Sequence, residues 1–181
     1  KYIESAYENK KYAFLTDYAR LYIVNQYGGI YFDTDVEVIR SFDDLLNNQA
    51  FFGFENDQFV NSGLGFGAEA GNKSLVMMLK EYDDLVNLEN TFKGCPMLNT
   101  QALVKMGLER NGKRQNLNGV MVYPADYFNP YDDPTGTLNK TKNTYSIHWY
   151  AKSWMSKRKI LRSKLTRPLH RLFGVDAFRK K

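Results

Sequence analysis

Asp33 and Asp35, separated only by Thr34 at the end of the apolar run Ile30-Tyr31-Phe32, are the residues best suited to chemistry in this chain. Two acids so close repel each other, and burying either one unpaired is costly. A hard divalent cation such as Mg²⁺ or Mn²⁺ removes both penalties, because it takes carboxylate oxygens as ligands and can hold a phosphate as well. An isolated Asp-x-Asp is nonetheless more often a pair of turn acids, since so short a pattern recurs by chance. The residues just upstream decide between these readings.

Residues 11–27 are predicted to form a helix. Tyr12, Leu15, Ala19, Tyr22, Ile23 and Gln26-Tyr27 recur near the 3.6-residue period, and Gly28-Gly29 ends the pattern. Asp17 and Arg20 lie three apart and share one helix face. On a free surface such a pair contributes little. A Gly-Gly turn, however, folds the next strand back beside the helix, which can bring Asp17, Arg20, Tyr31, Asp33 and Asp35 into one pocket. An arginine and a free carboxylate beside a metal-binding pair suit a ligand carrying both phosphate and hydroxyls, such as a nucleotide sugar.

The composite Thr16-Asp17-Tyr18-Ala19-Arg20 followed by Tyr27-Gly28-Gly29-Ile30-Tyr31-Phe32-Asp33-Thr34-Asp35-Val36 resembles the core of the family-32 glycosyltransferases. That group includes bacterial capsule and lipopolysaccharide sugar transferases and yeast-type initiating mannosyltransferases, and the clostridial glucosylating toxins share the pattern. A weaker resemblance continues through Phe52-Gly53-Phe54-Glu55, through residues 61–68, and through His148 to Trp154, covering about residues 1–155. The resemblance implies an α/β, GT-A-type, Rossmann-like nucleotide-sugar-binding fold, here expected to be incomplete at its N-terminus, where relatives carry a first strand and a base-stacking residue. It implies a retaining hexosyltransferase that uses Mn²⁺ or Mg²⁺, a nucleotide-sugar donor and a glycan or lipid-linked glycan acceptor. Asp35 is then the direct metal ligand, while Asp33 binds the metal through water and holds the donor ribose. Asp17 and Arg20 orient donor hydroxyls, Tyr31 closes that side, and Asn61 lies near the reacting sugar. One of the chain's two histidines, His148, is read as a further metal ligand, because Asp-x-Asp alone leaves a cation under-coordinated. Ser153 and Trp154 become donor-phosphate contacts on a closing loop.

The remaining elements are expected to position these groups. Residues 30–40 read as one strand, Ser41 as the N-cap of a short helical turn, and residues 50–54 and 60–68 as strands punctuated by glycine. Gly63, Gly65 and Gly67 lack the Lys-Ser/Thr ending of a phosphate loop, so they are read as letting the backbone approach a ligand or a bend. Helices are predicted over 73–89, with Leu75, Met78, Leu79, Tyr82, Leu85 and Val86 inward, and over 97–110 after Pro96. A strand at 120–123, a mobile lid or acceptor rim at 124–139, and a strand at 145–149 complete the domain. Cys95 reads as a small structural residue.

The chain has 181 residues, 43% of them apolar, enough for one domain with a sizeable core. A single cysteine excludes an intrachain disulfide and suits a reducing cytoplasm. No apolar run approaches the ~20 residues that span a bilayer. From Lys157 to Lys181 there are ten Lys or Arg and one acid, Asp176, a net of +9, while residues 1–156 carry a net of −4. Residues 156–181 therefore read as a basic amphipathic tail following a catalytic domain at 1–155. Ile160-Leu161, Leu165, Leu169 and Leu172-Phe173 recur at helical spacing, with Lys157, Arg158, Arg162, Lys164, Arg167 and Arg171 among them, which points to an anionic membrane surface and a cytoplasmic, membrane-peripheral location, with Pro168 dividing the helix. Aliphatic rather than aromatic intervening positions argue against nucleic acid. Two rival functions stand beside the transferase. One is a haloacid-dehalogenase-type phosphatase, which also uses Asp-x-Asp with Mg²⁺ but expects Gly-Thr where Val36-Glu37 stands. The other is a degenerate binding module without catalysis.

Overall fold

The computed structural model describes residues 2–85, 93–152 and 155–175. Two helices open the chain, α1 (Tyr2–Glu8) and α2 (Tyr12–Tyr27), and the second matches the predicted span. Gly28 and Gly29, with φ of 69° and 108°, then turn the chain into β1 (Gly29–Tyr31). Only glycine takes these values without strain.

The expected single strand over 30–40 is two. After β1 the Val36 N–H returns to the Asp33 carbonyl at 3.1 Å, closing a turn over the two aspartates. The chain resumes as β2 (Val36–Val38) in a different sheet. The break has a physical reason, since an extended segment would point Asp33 and Asp35 the same way with no relief for their repulsion. The next turn is a 3₁₀ helix at Asp43–Asn47 whose cap position is Phe42, and the Ser41 hydroxyl accepts from the Asp43 N–H at 3.2 Å.

The main sheet runs in the order β1-β5-β3-β7-β6, with β4 (Phe59–Val60) off β3 (Ala50–Asn56). Strand β5 is Phe66–Ala68, β6 is Gln115–Leu117 and β7 is Val120–Tyr123. The β3–β7 pair is parallel and the others are antiparallel. Helices with a mixed sheet fit the α/β, Rossmann-like glycosyltransferase architecture. Strand β3 reads as a continuous apolar run because both of its faces are covered. Ala50, Phe52 and Phe54 join Leu21, Val24, Leu75, Met78 and Tyr82 in a core under the helices. Phe51 faces the other way, into a second cluster with Phe42, Leu45, Phe128 and Tyr145. Gly67 makes room for the Phe51 ring, which a Cβ there would meet at 2.4 Å.

Helix α3 (Lys73–Asp84), capped by Asn72, buries the predicted Leu75, Met78, Leu79, Tyr82 and Leu85; Val86 and the rest of that prediction to 89 lie outside the described residues. Helix α4 (Cys95–Lys105) begins two residues earlier and ends five earlier than predicted. Pro96 sits inside its first turn, where no N–H is needed, rather than before it. The 124–139 segment is built rather than open: a 3₁₀ turn at Ala125–Tyr127 precedes a hairpin of β8 (Tyr131–Asp132) and β9 (Thr137–Leu138). Strand β10 (Ser146–His148) pairs with β2. Helix α5 (Lys157–Phe173) runs unbroken through Pro168, so the expected division does not occur.

Candidate active site

Three elements converge on the Asp33–Asp35 turn. The antiparallel register of β10 on β2 sets His148 opposite Val36, one residue beyond Asp35. The His148 Nε2 lies 3.2 Å from an Asp35 oxygen and 3.9 Å from an Asp33 oxygen. One ligand atom from each of Asp33, Asp35 and His148 falls within 4.8 Å of the others. Two carboxylates and a buried imidazole so grouped form a donor set of the type a divalent cation takes. Burial lowers the His148 pKa below the ordinary histidine range although Asp35 and Asp33 oppose it, which keeps the ring neutral. The Asp35 backbone and side chain are also fastened to the chain after β10. Its carbonyl accepts from Trp149 N–H at 3.0 Å, and its Oδ2 accepts from Ala151 N–H at 2.7 Å. Tyr150 and Lys152, on either side of Ala151, take left-handed φ of 51° and 53°. Side chains rarely accept that conformation, and strain of this kind gathers at functional loops.

Helix α2 supplies the second group. Arg20 is 5% exposed, with Nη2 at 2.6 Å from Asp17 and Nη1 at 3.2 Å from Asp33. Its guanidinium also lies over the Tyr31 ring at 5.2 Å, and the Tyr31 hydroxyl donates to Asp33 at 2.9 Å. Asp17, Arg20, Tyr31, Asp33, Asp35 and His148 are thus brought together, as the sequence predicts. What the periodicity leaves open is which helix face points inward. Tyr12, Tyr22, Ile23 and Tyr27, which mark the helical period, are exposed, whereas Leu21, Val24 and Arg20 are buried. The inward face is mixed because paired charges can be buried there in place of apolar side chains.

Asn61 lies at the same place, buried, with its Oδ1 accepting from Gly63 N–H at 2.7 Å and its Nδ2 donating to Glu55 at 3.4 Å. Gly63 brings the backbone close to side chains of the site: a Cβ there would meet Asp33 Oδ2 at 2.7 Å and Arg20 Nη1 at 2.9 Å. Ser153 and Trp154 lie outside the described residues.

Cys95, read from sequence as merely structural, is a neighbour of the site. Its thiol donates to Asn61 Oδ1 at 3.1 Å, and its main-chain N–H reaches Asp17. Burial pushes the thiol pKa far up, so it is a proton donor and not a thiolate. The Pro96 signal of a helix start could have revealed this, because a helix N-terminus favours a carboxylate such as Asp17. Burial raises the Asp17 carboxyl to about 6 even though Arg20 and Cys95 pull it down. Glu55 also joins the surroundings, accepting from the Tyr150 hydroxyl at 3.2 Å, while the Tyr150 ring stands edge-on to His148 at 4.2 Å between centroids. A cleft of about 500 Å³ has Glu55, Asn129, Tyr131, Asp133 and Tyr150 in its wall.

The fold and site together define an α/β domain that gathers two carboxylates, an imidazole and an ion-paired arginine around one turn. Over residues 1–52 the chain matches the family described as glycosyltransferase sugar-binding region containing DXD motif. That stretch holds Asp17, Arg20, Tyr31, Asp33 and Asp35 and supports a protein of glycosyltransferase type, with a nucleotide-sugar donor and an acceptor in general terms. Asn61, Cys95 and His148 join it through the fold. No curated protein and no solved structure matches the chain.

Proposed function

We propose that this protein transfers a hexose from a nucleotide sugar to a hydroxyl of a glycan acceptor, with retention and with Mn²⁺ or Mg²⁺ held by Asp33, Asp35 and His148. The family-32 type of surface-polysaccharide transferase is the closest description of this chemistry, and a lipid-linked glycan is its natural acceptor. The reading rests above all on the convergence of His148 with the Asp-x-Asp turn beside the Asp17–Arg20 pair.

The bound cation supplies Lewis acidity toward the diphosphate leaving group. The chain's own groups do the rest. Arg20 is held rigid by Asp17 and Asp33, so it offers donors to sugar hydroxyls without losing freedom on binding. Asp17 accepts from the same sugar. Tyr31 fixes Asp33 through its hydroxyl, and Asn61, steadied by Gly63 and Cys95, faces the reacting carbon. Ser153 and Trp154, next along the chain from the loop fastened to Asp35, contact the donor phosphates. The cleft bounded by Glu55, Tyr131 and Tyr150 receives the acceptor. Stabilisation of positive charge at the sugar comes from positioned dipoles and carboxylates, with no protein nucleophile assigned.

The test is metal-dependent turnover of a panel of nucleotide sugars by the parent protein and by Asp35→Ala, with free sugar and free phosphate both measured. Sugar release that needs Mn²⁺ or Mg²⁺ and falls at least a hundredfold in Asp35→Ala supports the proposal, on the scale of losing a main charge-stabilising group. Phosphate release from phosphomonoesters makes the protein a phosphatase. Donor binding with no turnover makes it a binding module. The phosphatase reading gives no role to Arg20, which is nearly buried and touches Asp33.

A further inference from the structure

Helix α5 presents a polar side to the body and an apolar side to solvent. Arg167 donates to the Asp133 carboxylate at 3.0 Å and to its carbonyl at 3.2 Å, and Arg171 donates to the Thr135 carbonyl at 2.7 Å. Lys152 reaches both Asp133 and Ser163. Ser163, Thr166 and Arg167 are half-buried against the hairpin, and none of the helix's residues is fully buried.

This docking aims Leu161, Leu165, Leu169 and Leu172 away from the protein, with exposures of 59%, 70%, 42% and 76%. A single exposed leucine needs no explanation. Four at spacings of four, four and three form a continuous stripe about 16 Å long on one helix side. The helix contains no acidic residue. Lys157, Arg158, Arg162 and Lys164 are all exposed around the stripe, and among the described residues none of the four has an ion-pair partner.

We propose that this face of α5 docks on a membrane surface carrying anionic headgroups. Charge complementarity selects that occupant. Four unpaired cations beside a leucine stripe match a negatively charged interface with hydrocarbon beneath it, and their long stems let the charges reach the headgroups while the leucines enter. The outward positions of the helix are Leu, Lys, Arg and Pro with one aromatic, Phe173, at its end, and they offer no uncharged hydrogen-bonding group by which a protein partner would be recognised. Because Lys152 and Arg167 both grip Asp133, a residue of the cleft wall, docking fixes how that cleft faces the membrane. A lipid-borne acceptor would then meet the cleft in one orientation. That consequence rests on the transferase reading, while the docking does not.

The test is co-sedimentation of the 181-residue protein with vesicles of phosphatidylcholine alone or with ~30 mol% phosphatidylglycerol, a composition giving a negative surface potential. Binding should require the anionic lipid and weaken roughly fivefold for each of Lys157, Arg158, Arg162 and Lys164 changed to Gln. Leu165→Glu with Leu172→Glu should lose more than tenfold while keeping the parent circular dichroism, since both positions are exposed. Equal binding to both vesicles overturns the proposal, as does full binding by the double glutamate variant. A concentration-dependent dimer that the same variant converts to monomer also overturns it, by making a second copy the occupant. Vesicle binding needs neither metal nor donor, so it fails or succeeds separately from the transferase assay.

Discussion

Helices α2 and α5 both turn arginines toward the body and leave large apolar residues outside, yet the two contacts differ in kind. In α2, Arg20 is sealed between Asp17 and Asp33, and Leu21 and Val24 are buried on the same side. In α5 Arg167 and Arg171 meet a hairpin rim, and no side chain is buried. An arginine sealed in the core leaves charges stranded if it is removed, whereas one on a rim leaves them to water. The comparison separates a helix that belongs to the folded core from one that rests against it.

The largest effect should come from Arg20→Ala. It strands Asp17, which is nearly buried, and removes the partner of Asp33, so a loss of about 3 kcal/mol in urea unfolding is expected, the lower end of the range because Asp33 is partly solvated. In calorimetry the variant should bind the nucleotide sugar far more weakly, with a smaller change for the bare nucleoside diphosphate. Equal losses on both ligands would move Arg20 from the sugar to the phosphates. A stability change below about 1 kcal/mol would mean that α2 and α5 are held alike.

This contrast was only half legible in the sequence. The Asp17, Arg20, Tyr31 and Asp33–Asp35 grouping could be read because all five lie within one helix, one turn and one strand, where short-range geometry fixes proximity. The sense of α2 could not, since the period marked by Tyr22 and Tyr27 does not say which side is inward, and a paired charge, Arg20, shares the buried face with Leu21 and Val24. The break of residues 30–40 into β1 and β2 was hidden for a related reason. Alternating Val36-Glu37-Val38 continues the pattern of a strand, and only the pairing of β10 more than a hundred residues later shows that it joins another sheet. His148 was legible by its type and by resemblance, whereas Cys95 needed the direction of α4. In α5 the periodicity was plain, but nothing in it said which side would meet the body.

A smaller effect, confined to the site, is expected from Gly63→Ala. The added methyl would lie 2.7 Å from Asp33 Oδ2 and 2.9 Å from Arg20 Nη1, both fixed by their mutual contact. Overpacking of this sort costs roughly 1–3 kcal/mol. Because Asp33 can yield toward its partly solvated side, most of the cost should appear as weakened metal and donor binding and less as lost stability. Calorimetric titration with Mn²⁺ and thermal unfolding, run on the same sample, separate the two. Parent-like metal affinity with a strongly lowered melting temperature would mean that Gly63 serves packing alone.

The smallest effect should follow from Arg167→Ala combined with Arg171→Ala. Asp133 keeps Lys152 as a partner in this variant, and the Thr135 and Gly136 carbonyls lie at an exposed rim where water replaces the guanidinium. No buried charge is stranded, so the global unfolding free energy should change by less than about 1 kcal/mol. The local consequence should be larger. With its two anchoring residues gone, α5 has no buried side chain to hold it, and its amides should exchange with solvent faster while those of β3 and β7 keep the parent rates. Hydrogen exchange resolved along the sequence reads both at once. If β3 and β7 lose protection together with α5, the helix is part of the cooperative core after all, and its likeness to α2 outweighs the difference.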